Sequence, residues 1–249
     1  LSLINASTET YLLREEDDFL LNADDFLSAC TEDIDLVIIC NPNNPTSSAI
    51  QTGDMERIIR ECKKRNIFVM IDETYVEFAP CIEEITAIPL TKRYDNLMVI
   101  RGVSKFYAAP GLRFGYGITS SEAFLKSLHQ HQNPWSLNSV GAYTGELMLK
   151  DTDYFRETRA LILSERERMF ARLSHMDGYK PYAAYGNFIL VRILKEGLTS
   201  FDVFEAAIKN RLMIRDCSSF ESLTGEYIRF CIMNPEDNDR LLHVLNSLI

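Results

Sequence analysis

The sequence predicts an α/β protein with a mostly parallel sheet covered by helices, followed by a smaller α+β unit. Short, continuous apolar runs alternate with segments of helical spacing in the first part, and turn residues separate them. Runs of this kind are typical of strands buried on both faces of a parallel or mixed sheet. The pattern changes after Gly178. We therefore predict a large domain over residues 1–150 and a small domain over residues 151–249.

Four strands and three helices account for the predicted elements of the large domain. The strands are predicted at Asp35–Cys40, Ile67–Ile71, Asn96–Ile100 and Phe114–Thr119. The helices are predicted at Thr52–Arg65, Ser121–Gln132 and Leu137–Lys150. In the first helix, Met55, Ile58 and Cys62 recur at helical spacing, and Thr52 is a suitable N-cap.

The small domain opens with a long amphipathic helix. That helix and the elements after it are predicted at Thr152–His175, Phe188–Ile193 (strand), Ser200–Asn210 (helix), Leu212–Arg215 (strand), Tyr227–Met233 (strand) and Pro235–Leu248 (helix). Pro235 suits the first turn of the last helix, because the N–H groups of a first turn have no intrahelical partner. Strands and helices in this order predict a small α+β unit.

Composition and charge restrict the classes of function. The formal net charge of -10 argues against nucleic acid as the main partner. No apolar run is long enough to span a bilayer, and Leu1–Thr10 has no basic stretch before an apolar one, so we expect neither a membrane role nor a signal peptide. The cysteines form no C-x-x-C pair, which favours a reduced, cytoplasmic protein. His129 and His131 have no third ligand nearby, so we expect no metal site.

Polar side chains follow three consecutive predicted strands. The first strand leads into Asn41–Thr46, the second into Asp72–Tyr75, and the third through Arg101 into Ser104 and Lys105. Ligands of open α/β sheets bind beyond the carboxyl ends of the strands, so these groups can converge on one pocket. Loops are polar in any case, and spacing alone leaves three unrelated loops equally open.

The motifs in these loops resemble those of the fold-type I pyridoxal 5'-phosphate (PLP) enzymes of aminotransferase class I/II. N-P-N-N-P-T at residues 41–46, I-D-E-T-Y at 71–75 and S-K-F-Y-A-A-P-G-L-R-F-G-Y at 104–116 appear in the family's order. Within the family, the chain is most similar to histidinol-phosphate aminotransferases and threonine-phosphate decarboxylases. P-W-S-L-N at 134–138 and R-D-C-S-S-F at 215–220 favour the decarboxylases.

The resemblance implies PLP as the cofactor and assigns roles to residues of this chain. Lys105 would carry the cofactor as a Schiff base and then move the α-proton of the substrate. Asp72 would pair with the pyridinium nitrogen and keep it charged. Asn44 and Tyr75 would hydrogen-bond the 3-oxygen of the ring, and Asn44 is also implied in substrate binding.

The resemblance also implies how the two anionic groups are held. Ser104 and Arg113 would bind the cofactor phosphate, since an arginine offers a fork of donors to an anion. Gly111 and Gly115 would let the backbone turn closely around that phosphate. Arg229 would bind the α-carboxylate of the substrate as a bidentate pair.

The chain departs from the family's pattern in three ways. It resembles a family member without its N-terminal part, which would supply a phosphate-binding turn at a helix N-terminus, an aromatic residue stacked on the ring and a tyrosine reaching across a dimer. Gly102 stands where relatives usually carry Ser or Thr, so one phosphate hydroxyl is lost. Ser47 replaces the usual glycine after N-P-T, a change that a turn tolerates. We therefore expect this chain to bind PLP weakly or not at all by itself.

Several functions are compatible with these observations. The first is amino-group transfer between an amino acid and a 2-oxo acid, and the alternative is decarboxylation of an O-phosphorylated amino acid. An inactive or truncated domain is a third. An ATP-driven machine is a fourth, because I-F-V-M-I-D-E at residues 67–73 has the form of a Walker B strand, but the chain contains no Gly-Lys dipeptide for a phosphate loop. The family is usually homodimeric, which implies a homodimer formed through the helices near Leu137–Lys150.

Overall fold

The computed structural model describes residues 6–249. Residues 1–5, the start of the segment in which no signal peptide is expected, lie outside the described residues. In chain order the elements are α1 (Ala23–Ala29), β1 (Leu36–Cys40), α2 (Thr52–Lys64), β2 (Phe68–Asp72), β3 (Leu97–Gly102), β4 (Gly115–Thr119), α3 (Glu122–His131), α4 (Ser139–Lys150), α5 (Thr152–Ser174), β5 (Tyr179–Pro181), β6 (Phe188–Ile193), α6 (Ser200–Lys209), β7 (Arg215–Asp216), β8 (Tyr227–Cys231) and α7 (Pro235–Ser247). Among the described residues, no helix is both long and apolar enough to cross a membrane.

The first sheet is mixed and has the strand order β1-β2-β3-β4. β1 pairs with β2, and β2 with β3, in parallel, so that Cys40 lies beside Asp72 and Asp72 beside Ile100. β4 returns antiparallel to β3. Two of the three strand pairs are parallel, and the prediction of a mostly parallel sheet in an α/β fold is confirmed.

Helices lie on both faces of this sheet, but they cover the two faces unequally. Val37 and Ile39 of β1 are buried in the core that also holds the apolar face of α2. On the other face, Phe68 packs on Phe124 of α3, with ring centres 4.5 Å apart, but Ile38 of β1 is 53% exposed. A continuous apolar run does not tell which face of a strand is open, because both faces carry the same residue types.

The second sheet is antiparallel, with the strand order β5-β6-β8-β7. Of its central strands, β6 is almost wholly buried and β8 is buried at three of its five residues. α5 and α7 pack against them around Ile189, Ile228, Met169 and Leu241, each of which is 0% exposed. This sheet and its helices form the small α+β unit that the sequence predicts.

Two local predictions are wrong. The strand predicted at Leu212–Arg215 is confined to Arg215–Asp216, because Leu212 N–H donates to Ala207 O at 2.9 Å and so completes the last turn of α6. The N-cap of α2 is Gln51. Thr52 is already helical, and its hydroxyl donates to Glu84 O at 2.7 Å.

Two arginines of α5 attach this helix to the first half of the chain. Arg166 Nη1 donates to Phe78 O at 2.9 Å and to Gly186 O at 2.6 Å. Arg159 Nη2 donates to Pro80 O at 3.2 Å. Burial lowers the pKa of Arg166 to about 10. Since Phe78 follows β2 and Gly186 precedes β6, one guanidinium joins segments of both sheets.

The segment before α1 is anchored on the second sheet. Phe19 is 2% exposed and packs edge-on against Tyr182 and Tyr227, with ring centres 4.9 Å and 6.1 Å away. The carboxylate of Glu15 accepts hydrogen bonds of 2.5 Å from both Arg192 and Tyr182. Burial alone would raise the pKa of Glu15, but these hydrogen bonds lower it to about 2. A segment distant in sequence is thereby fixed to β6.

Candidate active site

Three polar loops lie side by side at the carboxyl ends of β1, β2 and β3. The backbone ladder continues into them, since Asn41 N–H donates to Asp72 O at 2.8 Å and Glu73 N–H donates to Ile100 O at 2.9 Å. The side chain of Asn41 is fully buried and fixes the first loop through hydrogen bonds of 2.8 Å and 3.1 Å with the backbone of Ile50. The loops therefore converge at one edge of the sheet.

Four of the predicted site residues form a continuous series across the two sheets. Arg229 of β8 donates a hydrogen bond to Asn44 Oδ1, and its guanidinium carbon lies 5.0 Å from the ring centre of Phe188. Phe188 packs edge-on against Tyr75 at 5.1 Å. Lys105 Nζ lies 5.7 Å from the ring centre of Tyr75. Phe188 was not among the predicted residues, and its aromatic side chain at the start of a buried strand is the only signal that could have suggested it.

Asp72 ends β2 beside this series. Its Oδ1 accepts hydrogen bonds from the backbone N–H of Thr74, at 2.9 Å, and from the Thr74 hydroxyl. Alternation along the strand turns Asp72 away from Ile71, which is fully buried in the core. The side chain of Asp72 is therefore fixed on the more open face of the sheet.

The two residues predicted to bind phosphate are placed differently from each other. Ser104 directly precedes Lys105 and is partly buried. Arg113 is exposed, adopts a left-handed φ of 52° and donates from Nη1 to Pro110 O at 3.0 Å. The guanidinium of Arg113 is thus engaged within its own turn.

The glycines of this region differ in what they permit. A Cβ on Gly115 would lie 3.0 Å from Arg101 O, so the close pairing of β4 with β3 depends on the missing side chain. Gly111 has open space around it, and its close approach to a phosphate stays a prediction. A Cβ on Gly102 would meet Phe114 O at 3.4 Å, an ordinary contact, so position 102 has room for a small side chain.

A cleft of about 580 Å³ opens beside Arg229. Arg215 of β7 pairs directly with Arg229 of β8, and both line this cleft together with Ser218 and Ser219. A larger cleft of about 910 Å³ lies between residues 9–14, α1 and β1, and none of the predicted site residues lines it. We assign the candidate site to the smaller cleft and the loops next to it, because Arg229 lines this cleft and the loops carry Asn44, Tyr75 and Lys105.

Comparisons with known proteins agree with this fold and these motifs. The chain matches the model of the family described as aminotransferase class I and II over residues 1–245. It is 32% identical to the threonine-phosphate decarboxylase of Salmonella typhimurium over 95% of the chain and 64% of that protein. It is 30% identical to the histidinol-phosphate aminotransferase of Methanopyrus kandleri over 93% of the chain and 57% of that protein. The chain thus spans about 60% of the length of these two relatives.

Solved structures show the same similarity. The histidinol-phosphate aminotransferase of Clostridium acetobutylicum superimposes with a TM-score of 0.88 at 30% sequence identity, over 95% of this chain and 69% of that structure. An aspartate aminotransferase of Thermus thermophilus has the same fold, with a TM-score of 0.79 at 16% identity. The family match covers nearly the whole chain, and we conclude that the chain belongs to the aminotransferase class I and II family and has the fold-type I architecture.

Proposed function

We propose that this chain carries much of the active site of a PLP-dependent enzyme acting on amino acids, with Lys105 as the residue that bonds the cofactor. The series from Arg229 and Asn44 through Tyr75 to Lys105 carries the proposal, because it sets an amine and a guanidinium at opposite ends of one polar edge. The residues present fit the ring of PLP. The phosphate end is less complete, since Arg113 is engaged in its own turn and residue 102 is glycine.

Each of these groups has a definite task in the proposed site. PLP, when bound, supplies an electron-accepting ring that stabilises negative charge at the α-carbon of the substrate. Asp72 would hold a proton on the ring nitrogen, and the hydroxyl of Tyr75 would donate to the ring oxygen. The amine of Lys105 would take the α-proton and return it. Arg229 would orient the substrate by a bidentate pair with its α-carboxylate.

We propose amino-group transfer between an amino acid and a 2-oxo acid as the reaction, with a phosphorylated substrate. The position of Arg215 supports the proposal that the substrate is phosphorylated, because Arg215 adds a second cation beside Arg229 in the same cleft. Decarboxylation of an O-phosphorylated amino acid is the second candidate, and the similarity to the Salmonella threonine-phosphate decarboxylase favours it. The two reactions differ in which bond of the α-carbon stands perpendicular to the cofactor ring, and the hold of Arg229 on the carboxylate helps to set that orientation.

Trapping of the cofactor tests the proposed function. The chain is incubated with excess PLP, reduced with borohydride and mapped by peptide mass spectrometry. Because we expect this chain to bind PLP weakly by itself, the excess of PLP is large. Any specific adduct should form at Lys105, disappear in Lys105→Ala and persist in Lys150→Ala, which removes a surface amine of α4. Adducts scattered over surface lysines, with Lys105 unmodified, would contradict the proposal. Release of carbon dioxide or turnover that depends on a 2-oxo acid then separates the two reactions.

We further propose that the protein is a cytoplasmic homodimer formed through α4. Val140, Tyr143 and Leu147 of α4 are 68%, 67% and 52% exposed, and Trp135 before this helix is 89% exposed. Contiguous exposed apolar side chains of this kind mark interaction surfaces. All the cysteines are free thiols, which fits a reducing compartment. Light scattering of the purified chain tests the dimer, and a monomeric mass at all concentrations would contradict it.

A further inference from the structure

A buried polar cluster lies beneath the loops of the proposed active site. Arg101 of β3 donates to Glu73 Oε2 from Nε at 3.0 Å and from Nη2 at 2.6 Å. The Glu73 side chain is 0% exposed and that of Arg101 is 14% exposed. The Thr86 hydroxyl donates to Glu73 Oε2 at 2.8 Å, and Ala87 N–H donates to Oε1 at 2.6 Å. Both oxygens of this carboxylate are therefore occupied.

The cluster faces away from the proposed substrate. Neighbouring residues of an extended chain point to opposite faces of a sheet, so Glu73 and Asp72 diverge. Their burial agrees with this, because Glu73 is 0% exposed whereas Asp72 is partly exposed. Arg101, which pairs with Glu73, acts on the site only through the backbone that it holds.

The ion pair joins the two segments that carry the proposed reactive groups. Glu73 follows Asp72 directly and precedes Tyr75 by two residues, and Arg101 precedes Lys105 by four residues. A displacement of Arg101 from Glu73 would therefore change the separation of the amine from the carboxylate and the phenol.

The short segment between Arg101 and Lys105 leaves Lys105 little freedom to move independently of Arg101. Val103 is 0% exposed and Phe106 is 1% exposed, so Lys105 projects from a stretch anchored on both sides. The hydroxyl of Tyr154 also donates to Phe106 O at 2.9 Å. The direction of the Lys105 side chain thus follows from where β3 ends.

Glu77 offers Arg101 an alternative carboxylate. Glu77 Oε1 lies 3.9 Å from Arg101 Nη1, and within residues 6–249 its buried Oε2 has no hydrogen-bond partner. If the pair with Glu73 were weakened, Arg101 could turn to Glu77 and draw β3 with it. The fork of an arginine donating at two points to Glu73 is what favours the observed arrangement.

We propose that Arg101 is a positioning residue which, paired with Glu73, holds Lys105 in place against Tyr75 and Asp72. The inference rests on the proposed function in taking Lys105 as the reactive amine. A buried ion pair is often no more stabilising than apolar side chains of the same size, so support of the fold alone does not require one here.

Two measurements on Arg101→Met and Arg101→Lys test the proposal. The first is competitive acetylation of the chain without cofactor at a series of pH values, which reports the reactivity of each lysine by mass spectrometry. The second is the yield of PLP trapped at Lys105 by borohydride. Arg93→Met is the matched control, because it breaks an exposed pair with Glu56 elsewhere on the first half of the chain.

We expect Arg101→Met to lose about tenfold or more of the adduct at Lys105, since a displacement of about 1 Å can cost about a hundredfold in a reaction that depends on position. The rate at which its Lys105 is acetylated, relative to the other lysines, should differ from that in the wild type. Arg101→Lys, which keeps the charge but not the fork, should give an intermediate yield, and Arg93→Met the wild-type yield. If circular dichroism shows that Arg101→Met does not fold, the isosteric Glu73→Gln replaces it with the same expected loss.

The outcomes separate the positioning role from the proposed function. Trapping at Lys105 that is equal in the wild type and Arg101→Met, with the same acetylation profile, overturns the positioning role and leaves the function intact. If the wild type forms adducts only at other lysines but Arg101→Met still changes the acetylation of Lys105, the function fails and the positioning of the amine stands. Equal acetylation of Lys105 in the two proteins, with adducts only at other lysines, overturns both.

Discussion

Glu77 is a buried carboxylic acid whose contribution to the stability of the fold depends on pH. It is 7% exposed, and the charged groups that face it are Glu73, Arg101 of β3 and Arg159 of α5. Burial raises the pKa of Glu77 to about 6, with Glu73 adding to the increase and the two arginines opposing it. The folded chain therefore binds this proton more tightly than the unfolded chain does.

We expect Glu77→Gln to stabilise the protein at pH 8 and to have little effect at pH 4. Because the folded pKa is raised from 4.5 to about 6, the stabilising contribution of Glu77 is complete below about pH 4.5 and is lost as the pH rises through 6. Glutamine has the same shape without the charge. The free energy of unfolding in urea should rise by up to about 2 kcal/mol at pH 8. An equal effect at both pH values would contradict this account.

Gly102 is a second residue whose surroundings allow a definite expectation. Its position has room for a Cβ and lies three residues before Lys105. Gly102→Ser should tighten PLP binding about tenfold or more, since a hydrogen bond to a charged group contributes about 1.5–3 kcal/mol. Fluorescence titration with PLP measures the change. Gly102→Ala is the control that adds the Cβ without the hydroxyl, and equal affinities of the two variants would rule out a hydroxyl–phosphate contact.

At the same scale, the motifs predicted some of the candidate site and missed the rest. Asn44, Tyr75 and Lys105 lie three or four residues beyond the ends of β1, β2 and β3, and the parallel pairing of those strands is enough to bring their loops together. The turn that holds Arg113 could not be predicted, because Arg113 itself adopts a left-handed backbone conformation, which a sequence usually signals by glycine. The ion pair of Arg101 with its glutamate depends on the register between β2 and β3, which no local pattern reveals.

Among the elements, α4 packs on the molecule through a close backbone approach. A Cβ on Gly141 would lie 2.9 Å from Leu112 O, and one on Gly145 would lie 2.5 Å from the ring of Phe114. The buried positions of this helix are these two glycines, whereas its apolar side chains point outward. The helix was predicted from its composition, but the face that it buries could not be.

Two glycine substitutions in helices should therefore have opposite effects. Gly141→Ala should lower the free energy of unfolding by about 1–3 kcal/mol, because a backbone carbonyl cannot turn aside for the new methyl group. Gly53→Ala in α2, with open space around it, should raise that energy by up to about 1 kcal/mol through helix propensity. Thermal denaturation followed by circular dichroism measures both. Stabilisation by Gly141→Ala would show that α4 does not sit this close to the loop.

On the scale of the whole molecule, polar anchors join segments that are distant in sequence. Arg166 bridges the two sheets, and Glu15 fixes the first described segment to the second sheet. The sequence predicted most strands and helices of both sheets in their order, since these depend on local periodicity, but it missed the short elements α1 and β5. It could not predict these anchors, because a charged residue looks the same in the sequence whether it is solvated or buried.

We expect Glu15→Gln to destabilise the protein at neutral pH. Because the folded pKa of Glu15 is lowered from 4.5 to about 2, its contribution is complete above about pH 4.5 and is lost as the pH falls towards 2. Its side chain is 23% exposed, so we expect a loss of about 1–2 kcal/mol at pH 7 after allowing for solvent screening. Urea denaturation at pH 7 and pH 3 measures it, with the exposed Glu16→Gln as control. A loss that persists undiminished at pH 3 would point to packing instead of charge.

The half-open face of β1 has a consequence for the behaviour of the chain in concentrated solution. β1 is an edge strand of the sheet that the described residues form, and its sequence, L-V-I-I-C, has neither charge nor proline. An edge strand of this kind is a template onto which a strand of another molecule can add. With Leu36 and Ile38 exposed as well, such addition would bury apolar surface at each step and could repeat from molecule to molecule. The solubility of the chain therefore depends on whatever covers this edge strand, and we expect filaments to grow when the edge strand is uncovered.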